Sequence, residues 1–68
     1  MKNFLYSYWK HKKTHNIYII IGECKYEGSG ESGFLYVRQD DPTGIPWVRA
    51  KTLFLDGRFE KIEVKKEN

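Results

Sequence analysis

The chain has 68 residues and a net charge of +3, with 40% hydrophobic, 31% charged and 16% aromatic residues. A chain of this length buries only about 60% of the surface its unfolded form exposes, which allows one domain with a thin core and excludes a dinucleotide-binding fold or a large enclosed active site. The aromatic content excludes disorder, because disordered chains lack the residues whose burial offsets the entropy of ordering.

No stretch approaches the roughly 18 apolar residues of a membrane span, and the longest aliphatic run is Ile19 to Ile21. The opening Met1-Lys2-Asn3-Phe4 has neither a continuous apolar stretch nor a small-residue cleavage site, so neither a membrane partner nor a secretory signal is expected. The single cysteine, Cys24, cannot form an internal disulfide, which fits a reducing cytoplasm.

Residues 4 to 9 are mostly aromatic and predict a strand with Phe4, Tyr6 and Tyr8 on one face and Leu5, Ser7 and Trp9 on the other. Residues 10 to 16 are polar and basic and predict a turn. Residues 17 to 25 predict the strongest strand. Its Ile17-Tyr-Ile-Ile-Ile21 run suits a strand covered on both faces, and Ile19 with Ile21, or Ile20 with Tyr18, should supply the central packing. Residues 27 to 33 place Gly28, Gly30 and Gly33 among serines and glutamates and predict a flexible loop.

Phe34 to Arg38 predicts a third strand, with Phe34, Tyr36 and Arg38 sharing a face. Asp40-Asp41-Pro42-Thr43-Gly44 is a turn signal, since Pro fixes φ and Gly permits positive φ. Pro46 cannot take a central ladder position, so a short strand of Trp47, Val48 and Arg49 begins after it. Thr52 to Leu55 reads as a single 3₁₀ turn or a strand end, Asp56-Gly57 as a tight turn, and residues 58 to 64 as a last strand with one wet face. No apolar set keeps helical spacing over three turns. The expectation is an all-β fold: a small SH3-like barrel of about five antiparallel strands with no long helix.

Two segments carry a resemblance. Tyr6-Ser-Tyr-Trp-Lys-His-Lys followed by Asn16-Ile-Tyr-Ile-Ile-Ile-Gly is one. Leu35-Tyr-Val-Arg, Trp47-Val-Arg49, Phe54 and Asp56-Gly-Arg-Phe59 make up the other. Together they resemble a family of short bacterial and phage domains of unknown function with a Trp-Val-Arg…Phe motif. Two positions depart from the family pattern: Ala50 stands where proline usually follows Trp-Val-Arg, and residues 27 to 33 replace a histidine-serine-glutamate element. The resemblance implies an SH3-like β-barrel and a phage or bacterial accessory protein, and it implies no activity.

Catalytic and metal constellations are weak. His11 and His15 are four apart with Cys24 beyond them, but the segment reads as a turn rather than a helix, and Lys12 stands where the zinc-protease motif needs Glu. Cys24 has no base or oxyanion hole at a useful spacing and suits a small buried hydrophobe. Neither an enzyme nor a cofactor is expected.

Two groups remain as binding candidates. Lys10, Lys12 and Lys13 form a basic cluster that suits phosphate or an acidic partner. Tyr36 with Arg38, and Trp47 with Arg49, each place an aromatic and a guanidinium on one strand face, which can stack a base or hold an anion. A structural role competes, because so short a chain needs its large aromatics in the core. Trp47 is therefore expected to cap the core, with Arg49 laying its stem over it. If the two strands are neighbours, Arg38 and Arg49 would lie within reach of each other. Arg38 would then pair internally with Glu23, Glu60 or Asp56, and Arg49 would take an external anion. The expected function is a non-enzymatic binding module for a host protein or a small anionic ligand, with nucleic-acid binding as the alternative.

Overall fold

The computed structural model describes residues 4 to 63. Five strands, β1 (Tyr8–His11), β2 (Ile17–Lys25), β3 (Ser32–Arg38), β4 (Trp47–Ala50) and β5 (Phe59–Ile62), form one antiparallel sheet in the order β4-β3-β2-β1-β5. The sheet curls into a half-barrel consistent with the expected small SH3-like barrel. A single helical turn, α1 (Lys51–Phe54), lies between β4 and β5, the two edge strands.

The core fills the concave face. Trp9, Ile20, Phe34, Tyr36, Phe54 and Phe59 are buried, with Phe4 and Tyr18 packed against them. Phe54 stacks on Phe59 at 4.3 Å and 5° and meets Trp9, Phe34 and Tyr36 edge-on at 5.2–5.4 Å. Aromatic edge-to-face pairs of this kind fill a small volume with large buried area per residue, which suits a chain too short for a deep aliphatic core. Of the candidate central isoleucines, Ile20 is wholly buried beside Tyr18, whereas Ile19 and Ile21 are only partly covered.

The aromatic opening is not one strand. Tyr6 adopts a left-handed backbone (φ 63°), and its N–H donates to Ile20 O while Ile20 N–H donates to Ser7 O. Ser7 Oγ donates to Phe4 O at 2.6 Å and accepts from Trp9 Nε1 at 2.8 Å. This turn brings Phe4 onto the same core as Trp9, with ring centroids 6.2 Å apart, where an unbroken strand would have placed them on opposite faces. Strand alternation is offset a second time in β2. Ile20 pairs with Tyr36 and Gly22 with Leu35, so Ile21 is an extra residue in a bulge.

The glycine-rich stretch is shorter as a loop than the composition suggests. Ser32 and Gly33 belong to β3, and the hairpin closes through Tyr26 N–H to Glu31 O and Gly30 N–H to Tyr26 O. Gly33 is buried because β3 is crowded there. A Cβ would stand 3.0 Å from Arg49 O and 3.1 Å from Cys24 Sγ. Val64, the last residue of the expected final strand, lies outside the described residues.

Candidate functional site

Register decides which side chains meet. Antiparallel neighbours directly opposite each other point to the same face. In β3 and β4 the opposed pairs are Phe34 with Arg49 and Tyr36 with Trp47. Arg49, Tyr36 and Trp47 therefore share the concave face. Arg38 follows Tyr36 in one direction while Arg49 follows Trp47 in the other, so the two arginines lie four residues apart in register, about 13 Å at strand spacing. The expected mutual approach of Arg38 and Arg49 does not occur, because antiparallel strands carry equal offsets in opposite directions.

Arg38 lies opposite Tyr18 and pairs with Asp40, Nε to Oδ1 at 2.7 Å. Its partner is internal, as expected, but it comes from the following turn rather than from Glu23, Glu60 or Asp56. Glu23 instead binds Lys51 at 2.6 Å, and the Lys51 ammonium sits 5.2 Å from the centre of the Phe34 ring. Asp56 binds Arg58, Oδ2 to Nη2 at 3.0 Å. The backbone N–H of Arg58, together with the Arg58 side chain and the Arg49 charge, holds the Asp56 carboxyl below the ordinary aspartate value.

Trp47 is not a core cap. It is 54% exposed, with its ring 6.4 Å from that of Tyr36. Phe54, delivered by α1, occupies the place that Trp47 was expected to fill. Arg49 reaches from β4 toward the opposite edge of the half-barrel. Its Nε donates to Tyr36 Oη at 3.3 Å and its guanidinium lies 5.7 Å from the centre of the Phe59 ring. Among the described residues Arg38, Lys51 and Arg58 each hold a carboxylate within 4.0 Å, whereas Arg49 is oriented without one.

The lysine cluster divides. Lys10 lies opposite Ile17 and Glu60 on the convex face, away from Arg49. Lys12 and Lys13 form the β1–β2 turn and, with His11 and Arg58, line an open depression of about 410 Å³. Lys12 N–H donates to Arg58 O at 3.0 Å, which fastens the two segments together. His11 Nδ1 accepts from the backbone N–H groups of Lys13 and Thr14, so the neutral ring carries its proton on Nε2. The same ring meets Phe59 edge-on at 5.1 Å.

Phe59 thus joins the two candidate groups, with His11 and the basic depression on one side and Arg49, Tyr36 and Trp47 on the other. Arg58, Phe59 and Tyr18, which entered the sequence reading only as motif or core residues and not as binding candidates, are neighbours of the candidate groups. The turn signal Asp56-Gly57 immediately before Arg58 was the available clue, since a tight turn there folds Arg58 back toward the basic turn. Among the described residues no three His, Cys, Asp or Glu side chains gather as metal ligands would. No protein family, curated protein or solved structure matches the chain in comparisons with known proteins.

Proposed function

We propose that the chain is a non-enzymatic binding module that takes an anionic segment of a partner protein at the β4 rim of its concave face, with Arg49 as the anchor and Trp47 as the apolar platform beside it. The resemblance to short bacterial and phage domains favours a host protein inside the cell as that partner. One observation carries the reading. Arg49 is held in place by Tyr36 and Phe59 yet has no carboxylate within 4.0 Å among the described residues, while three other cations there are matched to carboxylates. A guanidinium held this way loses less rotamer freedom when it grips a carboxylate, and such bidentate contacts are directional. Aromatic and arginine side chains are also the residue types that concentrate energy at interfaces.

The test is capture from bacterial lysate by wild-type and Arg49→Ala chains, followed by titration of both with a glutamate-rich peptide. Loss of one charge-assisted hydrogen-bonded contact costs about 1.5–3 kcal/mol, so affinity should fall roughly 10- to 150-fold. The cation–π contact with the buried Phe59 ring is worth about 0.5–2 kcal/mol, so the melting temperature should drop by roughly 2–16 °C with the chain still folded. An Arg49→Ala chain that unfolds, or one that binds like wild type, removes Arg49 from the site.

The basic depression supports a second reading, nucleic-acid binding through Lys12, Lys13 and Arg58 with the exposed Trp47 stacking. Neutralising three duplex phosphates gives a salt slope near −2.7, or roughly a 40-fold loss of affinity between about 50 and 200 mM salt. A protein interface centred on Trp47 and one arginine should be far less sensitive.

A further inference from the structure

The large exposed apolar side chains are unevenly placed. Of the seven among the described residues, five belong to one stretch: Ile45, Trp47, Val48, Leu53 and Leu55. That stretch is β4, its lead-in, and α1 with the residue that ends it. β4 is also an edge strand, bonded to β3 on one side and to no other strand among the described residues. Alternate residues of such a strand turn their N–H and C=O groups outward, toward any strand that can pair.

The two edges of the sheet are treated differently. β5 carries Glu60 and Lys61, with Glu63 just beyond, and exposed charges on an edge oppose pairing. β4 carries Trp47, Val48 and Ala50, and its one charge, Arg49, is turned inward against Tyr36 and Phe59. Pro46 stands just outside β4, where its missing N–H takes no bond from the ladder.

The sequence of β4 is complementary to itself. A two-fold axis through Val48, normal to the sheet, sets Val48 opposite the partner's Val48 and Arg49 opposite the partner's Trp47. Both Trp–Arg pairs then lie on the concave face and the valine pair on the convex face, as the alternation of β4 requires. Centring the axis on Arg49 instead would set two guanidinium groups against each other. We infer that the chain forms a two-fold dimer by antiparallel pairing of β4 with β4 of a second copy, centred on Val48. This goes beyond the binding reading, since it needs no anion. The partner's Trp47 would complete the Arg49 site by stacking on the guanidinium face not occupied by Phe59. Stacking leaves the in-plane N–H donors free for a carboxylate.

Sedimentation equilibrium of the full chain should show the mass rising from 8.1 kDa toward twice that value between micromolar and millimolar concentration. Val48→Lys and Val48→Glu each set like charges opposite one another on the axis and should each remain monomeric. Both should keep the wild-type circular dichroism, because Val48 is exposed. Mixed in equal amounts they should regain the dimer, because lysine then faces glutamate. In the wild type, exchange of the outward β4 amides should slow as concentration rises. A wild type that stays at 8.1 kDa overturns the inference. So does a Val48→Lys chain that dimerises like wild type, a folded mixture that stays monomeric, or a dimer whose β4 amides exchange at the monomer rate.

Discussion

Phe54 is the side chain on which the fold should depend most. A single helical turn is unstable on its own, because nucleation fixes several dihedrals for one hydrogen bond. α1 has no side-chain cap, and only Leu55 N–H to Lys51 O closes its end. What holds it is Phe54, which is fully buried and in contact with Trp9, Phe34, Tyr36 and Phe59. Phe54→Ala should cost about 3–5 kcal/mol in lost burial and cavity formation. A core of this size supplies only about 3–5 kcal/mol in total, so the variant should not fold. Phe54→Leu keeps an apolar side chain but loses the ring pairs. At about 1.5 kcal/mol it should melt roughly 6–12 °C lower while remaining cooperative. Urea denaturation followed by far-ultraviolet circular dichroism, with thermal melts of all three chains, reads both outcomes. A Phe54→Ala chain that unfolds cooperatively within about 1 kcal/mol of wild type would show that α1 is an ornament of the sheet rather than its closure.

Two further substitutions probe the frame around Arg49. The Asp56 pKa is depressed in the folded chain, first by the Arg58 N–H, so its contribution is complete above the unfolded aspartate value of about 3.9 and is lost as pH falls through the lower folded value. The urea midpoint should therefore fall on acidification below about pH 4, and Asp56→Asn should flatten that fall; an unchanged acid profile would remove Asp56 from the account. Gly33→Ala forces a Cβ against Arg49 O and Cys24 Sγ at 3.0–3.1 Å and should cost about 1–3 kcal/mol by thermal melting, whereas a neutral result would mean that β4 can move away from β3 freely.

Much of the sheet was legible because its strands announce themselves in β-branched and aromatic runs and its turns in Pro, Gly and Asp. β2 has its expected bounds, β3 begins two residues earlier than expected and β4 ends one residue later. What alternation could not supply was a change of phase. The left-handed turn at Tyr6 and the bulge at Ile21 each shift the in–out pattern by one, and neither position holds a glycine to signal it. Trp47 was misplaced for another reason. Size and hydrophobicity argue for burial of any tryptophan in a short chain, but only the fold reveals that Phe54 already fills the space. The separation of Arg38 from Arg49, by contrast, follows from antiparallel direction alone and was available from the sequence once the strands were taken as neighbours.

The contrast between the two tryptophans gives the chain its own optical reporters. Trp9 is 7% exposed, hydrogen-bonded through its indole nitrogen and ringed by Phe4 and Phe54, so its emission should be blue-shifted and shielded from soluble quenchers. Trp47, beside Tyr36 and open to water, should emit to the red and be quenched freely until something covers it. One unlabelled sample therefore separates an event at the concave rim, which moves the red component alone, from loss of the core, which moves both.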